Sequence, residues 1–472
     1  MLHRARLLLA AALLAAMPLT AGAQTPATAL AGPWSGEIRV AGITLQMRVV
    51  FTEGAEGLSA AIDIPQQGAA GIALRNVRRE GELVHFELPA GPGLATFDGE
   101  RAGDRIEGTF AQSGAAGTFV LARGNTPPPS DAPPADLPYS TEEVTFGHGD
   151  VRLAGTLTTP AGAGPFPAAV LISGSGAQTR DEEVAGFKVF GTLADVLTRA
   201  GIAVLRYDDR GVGQSSGPAD VTTAAYAADV LSAVALLEAR PGIAPWRIGL
   251  IGHSEGALVA AMAAAESDEV GFIVLLAGTT VPGEQVVRGQ AEAIVRASGG
   301  GDAEIVALRT QQDRLFQVVR SGEGWEALEE RARAQGRAQL AAMPPEQRAA
   351  LGDPDAYLEG VIARQLAGAK SAWYRAFIDY DPVPMLRQVD VPVLGLFGGR
   401  DLQVLEAQNR PVLEAQFAGH RARLLTVKTY PEANHLFQSA TTGAPAEYPV
   451  LAKAFVDGLV DDIATWILSL PR

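Results

Sequence analysis

Apolar positions along the chain follow two different rhythms. Between residues 32 and 124 they alternate with polar ones in short runs parted by glycines, at 37–40, 45–51, 58–64, 83–88, 105–110 and 118–121. Alternation with a period of two and frequent Gly turns predicts half-buried strands, and so a small all-β sandwich or barrel. Beyond residue 140 the runs become continuously apolar, at 168–173, 202–207, 247–251, 271–277, 391–397 and 423–429. Such runs suit parallel strands covered on both faces. Helical segments fall between them at 187–200, 222–239, 255–267, 404–418 and 447–469. Before them, 143–146 and 152–157 flank Gly147-His148-Gly149-Asp150, a hairpin signal. The whole predicts an α/β unit over 140–472: a mostly parallel sheet with helices on both faces, opened by an antiparallel hairpin.

One interval breaks that rhythm. Between residues 277 and 391 the chain is rich in Ala, Glu, Arg and Gln, with helical periodicity at 284–298, 303–320, 324–342, 345–351 and 354–377. So long a stretch is no simple connection. It predicts a helical cap, about 281–380, inserted over one edge of the sheet.

Two further segments divide the chain. Residues 125–138 read NTPPPSDAPPADLP, with six prolines. They favour polyproline II and predict a semi-rigid linker over 125–139. At the N-terminus, Arg4 and Arg6 precede an apolar run from Leu7 to Met17, and Ala21-Gly22-Ala23 follows. This pattern predicts a signal peptide, residues 1–23, cleaved after Ala23, with an apolar stretch too short to span a bilayer. No cysteine follows it to carry a lipid. The mature chain is expected to be exported, periplasmic or secreted, without a stable membrane anchor.

Composition removes several chemistries. With 47% apolar and 19% charged residues over 472 positions, the chain has an ordinary globular composition. Zero cysteines exclude disulfides, Cys-ligated zinc, iron–sulfur clusters and a cysteine nucleophile. A net charge of -15 makes a poor partner for a phosphate backbone, so nucleic-acid binding is not expected. Gly174-Ser175-Gly176 and Gly211-Val212-Gly213 complete neither dinucleotide nor P-loop fingerprint. No cofactor and no metal are expected. A His-dependent mechanism must draw on His3, His85, His148, His253, His420 or His435.

Gly252-His253-Ser254-Glu255-Gly256 matches G-x-S-x-G, and so does Gly213-Gln214-Ser215-Ser216-Gly217. The motif needs a strand, a strained turn and then a helix, which together push the serine oxygen out at the strand's C-terminal end. Ser254 has an apolar strand before it and a helical segment after it. Ser215 lies in a polar loop with Pro218 close behind. Ser254 is therefore the expected nucleophile. Among the histidines, His3 leaves with the signal peptide, His85 reads as an outward strand residue, and His148 as a turn residue. His253 is adjacent to the serine and points away from its oxygen, and His420 falls on the opposite edge of the sheet. His435 lies in the loop just past 423–429, on the same edge as Ser254, and is the expected base. Asp401, after Gly398-Gly399-Arg400 at the end of 391–397, is the expected acid that holds its tautomer. Asp379 and Asp381 precede that strand and are the weaker rivals. An oxyanion hole would use the backbone N–H of Glu255 and one from the loop after 168–173, Ser175 with Gly176 as the alternative.

Ser173-Gly174-Ser175-Gly176, the run Tyr207-Asp208-Asp209-Arg210-Gly211-Val212-Gly213-Gln214-Ser215, the Ser254 motif, Gly399-Arg400-Asp401 and Asn434-His435 together resemble the α/β-hydrolase superfamily. Within it, the chain resembles exported bacterial carboxylesterases of the serine-aminopeptidase-like group, over about residues 140–472. The resemblance implies an α/β-hydrolase fold and cleavage of small-molecule carboxylic esters, of short to medium acyl chain, through an acyl-enzyme on Ser254. It also implies that Asp208, Asp209 and Arg210 are scaffold. Lipase-like relatives often carry His-Gly-Gly-Gly at the oxyanion loop, and the departure here leaves the second donor open. The alternative is an aminopeptidase or amidase with the same triad, using Asp181, Glu182 and Glu183 to bind a free amine, though Arg180 fits a structural ion pair with them equally well. A third reading is an exported binding protein on a hydrolase scaffold, against which an intact triad argues.

Overall fold

The computed structural model describes residues 30–471, apart from 41–42, 55–56, 65–68, 89–93, 113–114, 125–136, 346–347 and 349–352. The expected signal peptide, nearly all of the linker and most of the 345–351 segment lie outside the described residues.

The N-terminal region is all-β. Its strands are β1 (Gly32–Val40), β2 (Ile43–Gly54), β3 (Gly57–Ile64), β4 (Ala69–Ala73) and β5 (Arg75–Glu80). β6 (Leu83–Leu88), β7 (Ala95–Ala102), β8 (Arg105–Gln112) and β9 (Ala115–Arg123) complete them. They form one antiparallel sheet in the order β4-β3-β2-β1-β9-β8-β7-β6-β5. The two edge strands, β4 and β5, are joined by the single residue Leu74, whose N–H donates to Ala60 of β3 at 2.8 Å. A sheet whose edges are one residue apart must roll up, and this one is nearly a barrel. Trp34, Phe51, Phe86, Phe97 and Phe119 fill it, with Phe86 stacked on Phe97 at 4.6 Å. Alternation located six of the nine strands and missed β4, β5 and β7. β5 reads Arg-Asn-Val-Arg-Arg-Glu and is mostly exposed, while β4 is Ala-Ala-Gly-Ile-Ala. Neither carries an apolar stripe to be seen.

The second region holds β10 (Tyr139–His148), β11 (Val151–Pro160), β12 (Phe166–Ile172), β13 (Glu183–Val184) and β14 (Phe187–Lys188). They are followed by β15 (Ala203–Tyr207), β16 (Ile243–His253), β17 (Phe272–Leu276), β18 (Val393–Gly398) and β19 (Leu425–Tyr430). β13 and β14 pair only with each other. The other eight run β10-β11-β15-β12-β16-β17-β18-β19. The β10–β11 and β11–β15 pairs are antiparallel and the rest are parallel. Helices α1 (Val189–Arg199), α2 (Thr223–Glu238) and α3 (Glu255–Glu266) alternate with these strands. Successive residues of β12 feed two different cores: Ala168, Val170 and Ile172 pack with α2 and α3, Ala169 and Leu171 with α1. Burial on both faces is why the run is continuously apolar.

Between β17 and β18 lie α4 (Gly283–Ala297), α5 (Asp302–Ser321), α6 (Trp325–Ala342), α7 (Pro354–Lys370) and α8 (Ala372–Asp379). The expected single helix 354–377 is two. Ser371 is extended (ψ 151°), and its hydroxyl accepts from Tyr374 N at 3.0 Å, which starts a new helix there. α9 (Val383–Leu386) closes this interval, α10 (Glu406–Gln416) lies between β18 and β19, and α11 (Leu459–Ser469) ends the chain's regular structure. The expected helix 447–469 is corrected as well. A 3-10 turn, Pro445–Val450, ends the first part, and α11 starts only after Gly458 (φ 80°). In between, Val456 N donates to Phe437 O at 2.8 Å, so this stretch is laid onto the His435 loop instead of coiling. β19 begins two residues later than the apolar run, because Gly419–Leu424 forms a 3-10 turn.

Candidate active site

Ser254 sits between β16 and α3 at φ 55°, ψ -116°, outside the regions that L-residues favour. The flanking glycines make the turn sterically possible. A Cβ on Gly252 would lie 2.1 Å from Gly256 O, and one on Gly256 would lie 2.1 Å from Ile172 O. The end of the strand is thereby pressed against the helix's first turn, and the serine is left at the apex. Ser254 N donates to Leu276 O at 2.8 Å and fixes the turn to the neighbouring strand.

Asp401 and His435 follow β18 and β19, at the same C-terminal edge as Ser254. His435 Nδ1 lies 2.8 Å from Asp401 Oδ2, and both side chains are buried. The second carboxylate oxygen accepts from Gln403 N at 2.7 Å and Val404 N at 2.9 Å, which locks the acid in place. Gly398 and Gly399 let the two loops touch: a Cβ on either would meet main-chain oxygen of residues 431–434 at 2.6–2.7 Å. The His435 loop is rigid in its own right, since Asn434 Oδ1 accepts from Leu436 N and Gln438 N. Among the described residues the Ser254 hydroxyl has no hydrogen-bond partner. It opens into a cavity of about 400 Å³, roofed by Val286, Gln290 and Ile294 of α4 and by Trp373 and Phe377 of α8.

Glu255 is the first residue of α3, so its N–H has no acceptor inside the helix. Its side chain is buried and accepts from Thr223 Oγ1 at 2.7 Å and Trp373 Nε1 at 2.6 Å, while burial pushes its carboxyl above the usual range. In the loop after β12, Gly174 N donates to Glu182 Oε1 at 2.7 Å and is taken. Ser175 lines the Ser254 cavity. Gly176 (φ 102°) lines a neighbouring one of about 680 Å³, bounded by Tyr207, Asp209, Tyr226, Glu255 and Trp373.

The other candidates are occupied elsewhere. Ser215 Oγ donates to Asp208 O at 2.7 Å and accepts from Ala154 N at 2.9 Å. Asp208 holds Arg180 through both carboxylate oxygens, and Arg210 is paired with Asp229. Arg180 thus pairs with Asp208 and Glu143, not with the acids beside it. Asp209 accepts from Ser173 Oγ and Gln178 N, yet burial pushes its carboxyl up to about 7. His148 is the last residue of β10 instead of a turn residue, and its Nε2 meets Asp229 at 2.8 Å. His85 lies 2.6 Å from Asp98 on the N-terminal sheet, and His420 is exposed in the turn before β19. Asp379 pairs with Arg320, and Asp381 accepts from Val383 N.

Two features escaped the sequence. Trp373 reaches the site from the cap, where helical periodicity showed only an apolar position. His253 Nδ1 lies 2.8 Å from Glu182 Oε1 and its Nε2 lies 2.9 Å from His435 O, so it braces the base loop. Only its adjacency to Ser254 was visible. Among the described residues no cluster of three or more His, Asp or Glu could hold a metal ion, and no helix is long and apolar enough to cross a membrane.

A mostly parallel sheet with a strained serine between strand and helix is the architecture of an α/β-hydrolase, and this chain has that fold. It belongs to the serine aminopeptidase (S33) family, whose model matches residues 186–439, more than half of the chain. Esterase EstD of Thermotoga maritima is 28% identical over 340 residues, covering 71% of this chain and 70% of its own. Among solved structures, the Pyrococcus furiosus esterase Pf2001 is 15% identical with a TM-score of 0.43, over 72% of this chain and 92% of that one. A proline iminopeptidase from Mycobacterium smegmatis is 14% identical with a TM-score of 0.41, over 69% of this chain and 98% of that one.

Proposed function

We propose that the chain is an exported carboxylesterase that cleaves small carboxylic esters of short to medium acyl chain through an acyl-enzyme on Ser254. The observation that carries this reading is the Asp401–His435 hydrogen bond at 2.8 Å, at the sheet edge where the strained turn presents Ser254. His435 Nε2 takes the Ser254 proton as Oγ attacks the ester carbonyl. Asp401 keeps the proton on Nδ1 and stabilises the imidazolium. The N–H groups of Glu255 and of Ser175, with Gly176 as the alternative, receive the oxyanion. The alcohol leaves with the proton from His435, and a water activated by the same base releases the acid. The walls at Val286, Ile294, Phe377 and Val404 suit an acyl chain. EstD, an esterase by name, supports the same substrate class.

The second reading is an aminopeptidase or amidase with the same triad. The acidic run argues against it, because Asp181 pairs with Arg206 at 2.8 Å and Glu182 is spent on Gly174 and His253. Export would follow from residues 1–23 acting as a cleaved leader. The test is turnover of p-nitrophenyl esters and aminoacyl-nitroanilides by wild type and Ser254→Ala. Ester turnover lost in Ser254→Ala supports the proposal. Anilide turnover of comparable efficiency favours the peptidase, and full activity in Ser254→Ala removes the triad assignment. N-terminal sequencing of protein recovered from outside the cytoplasm checks cleavage after Ala23.

A further inference from the structure

His253 and Glu182 form a buried pair that the reaction as written does not use. Glu182, 2% exposed and held at φ 44°, receives Gly174 N–H at 2.7 Å and faces His253 Nδ1 at 2.8 Å through the same oxygen. The other ring nitrogen of His253 faces the His435 carbonyl oxygen at 2.9 Å. A carboxylate and a peptide carbonyl are both acceptors with no proton to give. A neutral imidazole has a single N–H, so one of its nitrogens would turn a lone pair on an oxygen at under 3 Å. Both contacts are satisfied only when both nitrogens carry protons. Burial alone would push the His253 imidazolium toward deprotonation, but Glu182 overrides this and holds its pKa above the ordinary value. Among the described residues, the other charged or titratable groups around the pair are the His435 ring at 4.7 Å, Asp401 behind it, and Asp209, whose carboxyl Glu182 helps to push up.

We propose that Glu182 and a cationic His253 are positioning residues that lock the oxyanion loop, the serine turn and the base loop into one register. This rests on the triad reading above. Glu182 holds the oxyanion loop through Gly174, His253 is covalently next to Ser254, and its ring pins the main chain of His435. One ion pair thus reaches all three catalytic elements.

The wild-type protein gives the first test. With ¹⁵N-labelled histidine, one ring protonated on both nitrogens is expected at pH 7–8, and Glu182→Gln or His253→Gln should abolish that signal. A neutral His253 overturns the proposal. The second test is kcat and KM for p-nitrophenyl butyrate, scaled to active sites titrated with a phosphonate. Each single variant should lose ten- to a hundredfold, chiefly in kcat, as expected when reacting groups drift by about 1 Å. Glu182→Asp should restore most of the activity, and the double variant should be no worse than the poorer single one. Losses that multiply in the double variant, or no rescue by Glu182→Asp, also overturn it. Ser254→Ala runs beside them: if it stays active the triad reading falls, and if it is dead while His253 is neutral only this inference falls.

Discussion

The Trp373 indole Nε1 donates to Glu255 Oε1 at 2.6 Å, and the two side chains stand between the 400 Å³ cavity at Ser254 and the 680 Å³ cavity beside it. The bond ties the cap to the residue after the nucleophile. Trp373 is further held by stacking on Phe377, at 5.2 Å and 15°.

Removing that partition should change chain-length selectivity. Trp373→Ala joins the two cavities, and the ratio of kcat/KM for p-nitrophenyl decanoate over butyrate should rise about tenfold or more, since each methylene admitted to an apolar pocket is worth ~10-fold upward. Trp373→Phe keeps most of the wall and loses only the hydrogen bond, so its ratio should stay near wild type. A decanoate preference unchanged in Trp373→Ala would show that the acyl chain does not approach this wall.

Asp401→Asn should leave the fold intact and lower kcat by about 10⁴-fold, the scale of losing the acid that sets the base's tautomer. An amide at the Oδ2 position would donate toward Nδ1 and turn the His435 N–H toward the serine. The Gln403 and Val404 N–H groups would still find an acceptor in the amide oxygen. Combining it with Ser254→Ala should add little beyond Ser254→Ala alone, because the residues act as a unit. Burst kinetics with a p-nitrophenyl ester read both effects.

How much of this was legible in the sequence depends on what each residue's role leaves on its neighbours. The strand–serine–helix turn was visible because Gly252 and Gly256 are forced by contacts of 2.1 Å, and strands buried on two faces had to be apolar throughout. Asp401 and His435 were visible because each follows such a strand. Trp373 was not, because it works across a tertiary contact and its own helix begins only at the Ser371 break. Glu182 reads in the sequence only as an acid in a run of acids, and its bond to His253 leaves no local trace. Its partner lies 71 residues away, and nothing local marks a pairing at that separation. β5 was missed for a related reason: an exposed edge strand with three arginines in six residues is shaped by its partner, not by its own alternation.

Asp209 makes stability depend on pH. Its carboxyl is pushed up to about 7 by burial, against an ordinary 3.8. An acid raised on folding is neutral in the native state while the unfolded chain already ionises. The contribution of Asp209 to stability is therefore greatest below about pH 4, falls as pH rises, and levels off above about 7, at up to ~1.4 kcal/mol per pH unit in between. Asp209→Asn cannot ionise, so the difference in unfolding free energy between wild type and variant should slope across pH 4–7 and flatten outside it. Urea titrations at four pH values measure this. A difference constant across the range would mean that Asp209 is ionised in the folded protein.

Ser254 itself carries strain that function requires. At φ 55°, ψ -116° a non-glycine residue costs ~1–3 kcal/mol. Glycine adopts that conformation freely but gives back ~0.5–1 kcal/mol in unfolded-chain entropy. Ser254→Gly should thus be more stable than wild type by about 1 kcal/mol and without esterase activity, whereas Ser254→Ala keeps the strain and should match wild type in stability. The neighbouring glycine behaves oppositely. Gly256→Ala sets a methyl 2.1 Å from Ile172 O and 2.5 Å from Ser173 O, both main chain, and should destabilise by about 3 kcal/mol or more while displacing the oxyanion loop. Urea midpoints of the three variants decide the matter: equal stability of Ser254→Gly and Ser254→Ala would mean that the turn stores no strain at the serine.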